Sequence, residues 1–246
     1  MKSPFVRPLV PYDGSAPSHT ALVYGIDLAQ LGAHLTVATI VDEMPLIAQS
    51  SASIAPIDPG PLLAALESDA EIELDKARAR CDEANVAADL RIVHDRPVAG
   101  IVSAARQSHA DVVIMGTHGR DGWQRTLLGS VTEGVLRSCD IPVLAMNTVG
   151  GEHVPATIRR ILVAIDDSDP SDAALDAAIA AARTVVAALT ICTVIDTRVL
   201  FERAGTYGYD PAPLVAQMRA HAEDHLSTAV KRLDQYGVAV ETLVVE

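Results

Sequence analysis

Apolar runs and helical stripes alternate along the first 147 residues. Leu9-Val10-Pro11 predicts a short first strand, Leu35 to Val41 a second, Ala87 to Val93 a third, Asp111 to Ile114 a fourth and Ile141 to Met146 a fifth. β-branched runs without polar alternation suit strands covered on both faces, the habit of parallel sheets. Between the first two runs, Ala21, Leu22, Gly25, Ile26 and Ala29 predict a helix with Ser18 as its N-cap and an end near Gly32. Leu63, Leu66, Ala70, Leu74 and Ala77 mark one face of a helix from Leu62 to about Ala84, with a charged face opposite. Val98, Ile101, Val102 and Ala105 mark the next, and Val131, Val135 and Leu136 a last one from Ser130 to Ser138. Residues 8 to 147 thus read β-α-β-α-β-α-β-α-β: an α/β fold with a doubly wound, parallel five-stranded sheet. Pro142 lacks a donor for a ladder and suits an edge or interface position. From Pro45 to Pro61 periodicity is lost, as in a lid, an interface or a disordered segment.

The pattern then repeats. Ile161 to Ser171 echoes Leu9 to Ser18, so that Asp166 falls on Asp13, Ser168 on Ser15 and Pro170 on Pro17, and Leu189 to Asp196 echoes Leu35 to Asp42. Self-similarity at domain length points to duplication. The reading divides the chain into a complete domain over 1–147, a linker over 148–157 and an incomplete second copy over 158–246. The second copy continues with a loop holding Gly205 and Gly208, a helix from Pro213 to Tyr236 and a strand over Val238 to Val245. Glu246 corresponds to about His94, so the phosphate-loop half has no counterpart, and three strands with two helices leave apolar surface and a sheet edge uncovered. Asp166 and Val194 then offer only a nucleoside half-pocket. The expectation is a shortened chain, which intact mass against 25.9 kDa tests.

Composition narrows the partners. Apolar residues are 49% but aromatics only 3%, so the core is built from Ala, Val, Leu and Ile. A net charge of −13 argues against nucleic acid or an anionic membrane as the main partner. Cys81, Cys139 and Cys192 are few, odd in number and scattered, which reads as reduced, buried thiols in a cytoplasmic protein. Nothing near the N-terminus resembles a signal peptide, and no charge-free apolar run is long enough to span a membrane.

The candidate chemistry lies around the fourth strand. After Asp111-Val112-Val113-Ile114, the stretch Met115-Gly116-Thr117-His118-Gly119-Arg120-Asp121-Gly122 is too glycine-rich for regular structure, and Gly129-Ser130 opens the following helix. Glycines let backbone N–H groups approach an anion, the first helical turn adds unpaired donors and the positive dipole end, and the Ser130 hydroxyl at an expected N-cap adds another. The P-loop lysine is missing, and the glycine spacing is not that of dinucleotide folds. Asp13, at the carboxyl end of the first strand, borders the crevice where open parallel sheets bind ligands, although an Asp beside Gly-Ser also serves as an ordinary turn carboxylate. His118 has no second metal ligand at suitable spacing.

Gly116, two residues, Gly119, nine residues, then Gly129-Ser130, in the setting Gly-Thr-His-Gly-Arg … Arg125-Thr126-Leu127-Leu128-Gly129-Ser130-Val131, closely resembles the ATP-binding signature of universal stress proteins. The resemblance implies the adenine nucleotide α-hydrolase-like fold in tandem form. It implies an ATP site made by Pro11, Asp13, Ile40, Met115, Gly116, Gly119, Arg120, Gly129, Ser130 and Val131. Asp13 would contact the base or ribose and Ile40 would line the base pocket. Mg²⁺ or Mn²⁺ would accompany the nucleotide, held by phosphates more than by protein groups. With no P-loop lysine and no obvious base beyond Asp121, the expectation is ATP binding with little or no turnover, in a stress-response regulator. Arg125 either faces the phosphates or ties the loop to the domain. The alternative is a slow ATPase or an AMP- or phosphate-transferring enzyme of the same group. Family resemblance also implies a homodimer or a pseudo-dimer of the tandem domains.

Overall fold

The computed structural model describes residues 5–44, 58–117, 128–146, 158–198, 200–201 and 210–246. The chain divides into two compact units, Phe5 to Ala156 and Thr157 to Glu246. In the first, β1 (Pro8–Pro11), β2 (Leu35–Val41), β3 (Ala88–His94), β4 (Val112–Gly116) and β5 (Val143–Met146) alternate with α1 (Ala16–Gln30), α2 (Gly60–Glu83), α3 (Pro97–Gln107) and α4 (Ser130–Ser138). All pairings are parallel, as the apolar runs predict, and the strand order is β3-β2-β1-β4-β5. The order reverses between β1 and β4, so connections from the two leave in opposite directions and a crevice opens at their carboxyl ends.

Register settles which residues share a face. Leu9 pairs with Thr36 and Val113, and Pro11 with Ala38. By alternation Leu9, Pro11, Ala38, Ile40, Val113 and Met115 therefore lie on one face. That face is covered by α3 and α4, through Ile101, Ala104, Ala105 and Val135. Val10 and Leu35 lie on the other, where Gly25 of α1 packs so closely that a Cβ would stand 2.8 Å from Val10 Cγ2. Small residues at this contact, rather than aromatics, let helix and sheet approach.

Element ends depart from the sequence reading where capping and proline chemistry intervene. The N-cap of α1 is Ser15, not Ser18; Ser18 N–H donates to Ser15 Oγ (3.3 Å) and Ser18 Oγ donates to Ser15 O (2.9 Å). Pro17 fits the first turn because the N–H it lacks would have no intrahelical acceptor there. Likewise the N-cap of α4 is Gly129, and Ser130 is already helical. Pro59 caps α2, its carbonyl accepting from Leu62 and Leu63 N–H, so the helix starts two residues early. β5 forms an edge and begins after Pro142, whose carbonyl still accepts from Val113 N–H (3.0 Å). Residues 45–57 lie outside the described residues.

The second unit holds β6 (Arg160–Ala164), α5 (Asp169–Val185), β7 (Ala188–Val194), α6 (Ala212–Leu233), a 3₁₀ turn (Asp234–Tyr236) and β8 (Val240–Val245), with parallel order β6-β7-β8. The last helix thus ends three residues before Tyr236, and β8 starts two after Val238. Val163, Leu189 and Ile191 pack under α5 and α6 through Leu175, Ile179, Leu226 and Leu233. On the opposite face Leu162 and Val194 are each 65% exposed, and Leu243 and Val245 are exposed too. Their counterparts in the first unit, Leu9, Ile40, Arg91 and Val93, lie on the face that α3 and α4 cover. The loop with Gly205 and Gly208 lies outside the described residues. No helix among the described residues is long and apolar enough to cross a membrane.

Candidate functional site

Three strand ends build the crevice. β1 runs out into Tyr12-Asp13-Gly14-Ser15, a turn stitched to β2 by Tyr12 N–H donating to Ala38 O (2.9 Å) and Thr39 Oγ1 donating to Tyr12 O (3.0 Å). Asp13 Oδ1 accepts from Ser15 N–H (3.0 Å), so the carboxylate closes an Asx turn at the mouth of the crevice. Pro11, Ile40 and Met115, from three adjacent strands, lie on the same face near the same edge. Met115 is buried in the core with Leu9, Ala38 and Val113, and Ile40 is half-buried beside Gly100 of α3.

β4 and α4 form the other wall. Gly129 N–H donates to Thr117 O (2.6 Å), Thr117 N–H donates to Met146 O (2.9 Å), and Thr132 Oγ1 donates to Gly116 O (2.9 Å). The exit of β4 and the entry of α4 are thereby tied together. This bond engages the Gly129 donor, which the glycine pattern offers to an anion. The first N–H groups of α4, on Ser130, Val131 and Thr132, are those that a helix leaves without an intrahelical acceptor. Gly116 has a packing reason to be glycine: a Cβ there would stand 2.3 Å from Pro17 Cβ, at the start of α1. Gly119 and Arg120, with His118, Asp121 and Arg125, lie outside the described residues.

An open cavity of about 790 Å³ runs along α3 and α4, from Asp42 and Arg96 past Ser130 and Val131 to Gln107 and Ser138. Its size is that of a small-molecule cleft. Of the eight candidates among the described residues, Ser130 and Val131 line it, and Asp42, Arg96 and Val98 are additions that the glycine motif does not reveal. Their signal is positional: Asp42 follows β2 and Arg96 follows β3 at the edge where Asp13 follows β1. Asp95 N–H donates to Val41 O (3.1 Å) and Arg96 N–H to Asp95 Oδ1 (2.7 Å), holding that rim to β2.

Behind the Asp13 turn, Tyr12 Oη bonds His19 Nδ1 (2.9 Å). Burial holds the His19 pKa below its ordinary value, with Arg80 and Lys76 lowering it further and Glu73 and Asp13 opposing them. In the second unit the Asp166 carboxylate accepts from Ser168 Oγ and from Ser168 N–H, and these bonds hold its pKa down. Val194, its nominal partner in a half-pocket, is exposed. Among the described residues no group of three His, Cys, Asp or Glu side chains is arranged to hold a metal ion, and Cys81, Cys139 and Cys192 are free.

A doubly wound sheet whose strand order reverses between β1 and β4 defines the class, and comparison with known proteins defines the family. The chain belongs to the Universal stress protein family, whose model matches residues 6–147 and again 157–246. It is 28% identical over 139 residues to Universal stress protein MJ0531 of Methanocaldococcus jannaschii, covering 56% of this chain and 79% of that one. It is 31% identical over 137 residues to Universal stress protein Rv2005c of Mycobacterium tuberculosis, covering 52% of this chain and 45% of the other. Among solved structures, a universal stress protein from Archaeoglobus fulgidus DSM 4304 shares the fold with a TM-score of 0.65 at 22% identity, over 99% of this chain and 77% of that one.

Proposed function

We propose that the first unit binds ATP at the carboxyl edge of β1 and β4, with little or no turnover, and acts as a nucleotide-dependent regulator in a stress response. The observation that carries this reading is the pairing of the Asp13 turn with the Gly116–Gly129 junction across the point where strand order reverses. The neutral nucleoside end meets Asp13 and the apolar edge of Pro11, Ile40 and Met115, because a carboxylate beside a polyanion would repel it. The triphosphate lies toward the first turn of α4 and the Gly119–Arg120 stretch, where helical N–H donors and the positive dipole end suit it. Mg²⁺ or Mn²⁺ would accompany the phosphates. The three free thiols fit a reducing cytoplasm, and family kinship supports a homodimer.

Isothermal titration with ATP, ADP, AMP and cyclic AMP tests the site. Asp13→Ala and Gly119→Ala should each weaken ATP binding by about tenfold, equivalent to about 1.4 kcal/mol. Unaltered affinity in both would refute the site. A turnover of several per second would replace the regulator with an enzyme.

A further inference from the structure

The turn that carries Asp13 is held from behind by a side chain that neither the glycine motif nor the cleft includes. Gly14 has φ +78°, a conformation rare for residues with a side chain, and the space its missing Cβ leaves is filled. Glu73 of α2 fills it: a Cβ on Gly14 would stand 2.1 Å from Glu73 Oε2 and 2.6 Å from its carboxyl carbon. The Glu73 side chain is only 16% exposed, and its Oε1 pairs with Lys76 Nζ (3.0 Å). Both Glu73 and Asp13 act electrostatically on His19, whose ring is bonded to Tyr12 at the start of the same turn. A carboxylate on a helix from one sheet face thus abuts the backbone that presents Asp13 to the crevice.

The second unit makes the same joint with different residues. The buried stripe Ala70, Leu74, Ala77, Cys81 of α2 recurs with identical spacing as Ala222, Leu226, Ala229, Leu233 of α6. This alignment sets Glu73 on His225 and Asp69 on His221, while Asp13-Gly14 falls on Asp166-Asp167. There the carboxylate sits on the turn and the helix supplies imidazoles: Asp167 Oδ2 meets His221 Nε2 (3.0 Å) and Asp167 Oδ1 meets His225 Nδ1 (2.5 Å). In both units the same helical position reaches the same turn position, although the chemistry has been exchanged. A chance surface contact has no reason to survive that exchange.

We propose that Glu73 is a positioning residue for the nucleotide turn: seated in the space that Gly14 leaves, its side chain fixes the backbone that presents Asp13, and so couples helix α2 to nucleotide affinity. This rests on the reading of the Asp13 crevice as the nucleotide site. Lost packing at Glu73 lets the turn sample other conformations, and the affinity falls by the fraction of time the binding-competent one is absent.

The test uses the full chain with Glu73→Ala, Glu73→Gln, Gly14→Ala and the double variant Gly14→Ala/Glu73→Ala. Glu73→Ala should weaken ATP binding by about fivefold with an unchanged melting temperature, while Glu73→Gln, which keeps the shape and an acceptor oxygen, stays within about twofold. A Cβ at residue 14 displaces the Glu73 carboxylate, so Gly14→Ala should cost less affinity in the Glu73→Ala background than in the wild type. Amide hydrogen exchange at residues 13–15, measured without nucleotide, should quicken in Glu73→Ala. Unchanged exchange, or full ATP affinity in Glu73→Ala, overturns the positioning role. If exchange quickens but the wild type binds no ATP, the failure lies with the nucleotide reading, and the affinity coupling falls with it.

Discussion

Gly116→Ala separates the packing role of this glycine from any role toward a ligand. Residue 116 is the last of β4, and α1 begins directly against it: an added Cβ would stand 2.3 Å from Pro17 Cβ, 2.8 Å from Pro17 C and 3.1 Å from Pro17 Cα. A long flexible side chain would swing away, but these atoms belong to a ring and a helical backbone and have no rotamer to escape into. Restoring ordinary carbon contact therefore requires the first turn of α1 to retreat by more than an ångström. α1 also packs on β1 through Gly25, where a Cβ would stand 2.8 Å from Val10, so the retreat loosens a face already at close contact. The cost belongs at the upper end for overpacking, about 3 kcal/mol. For a unit of this size that corresponds to a melting temperature lower by roughly 6–12 °C. Urea unfolding of the nucleotide-free protein, followed by far-ultraviolet circular dichroism, measures it. A loss below about 0.5 kcal/mol, the range of an ordinary surface substitution, would show that α1 does not press on β4 as described.

The Tyr24 hydroxyl is buried without a hydrogen-bond partner among the described residues, and burial, with Asp27 adding to it, raises its pKa. Tyr24→Phe removes the unsatisfied group and should stabilise the first unit by about 1 kcal/mol; a destabilised variant in thermal melts would reveal a partner. Two histidines give stability opposite pH slopes. His19 has a depressed folded pKa, so its contribution is full above the unfolded value of 6.5 and is lost as pH falls through the folded one. His221 is raised, first by its hydrogen bond to Asp167, so its contribution is full below 6.5 and is lost as pH rises through its folded value. Urea midpoints between pH 5 and 8 should lose the acid-side slope in His19→Gln and the alkaline-side slope in His221→Asn; profiles matching wild type would refute both assignments.

Much of the first unit is legible in the chain because its signals are local. Leu35 to Val41 carries no polar alternation and proves to be a central strand; Ala70, Leu74 and Ala77 repeat at helical spacing and prove to be the buried face of α2. The caps are less legible. Ser15 and Ser18 are both of the residue type that caps helices, and the structure places the cap at Ser15, whose Oγ accepts from Ser18 N–H. The cleft shows the larger gap. Asp42, Arg96 and Val98 join Ser130 and Val131 because α3 packs beside α4 on one sheet face, and that adjacency is a property of strand order. Gly116 and Gly129 stand in a ligand motif, yet one is demanded by Pro17 and the other already donates to Thr117. A glycine pattern in sequence does not distinguish a backbone that faces an anion from one that faces a neighbouring element.

The 2.6 Å bond between Gly129 N–H and Thr117 O clasps the two ends of the span between them. Lengthening the chain between two clasped ends costs only about 0.6 kcal/mol per doubling. The register between the end of β4 and the start of α4 is thereby set by one backbone contact rather than by the length of chain that joins them.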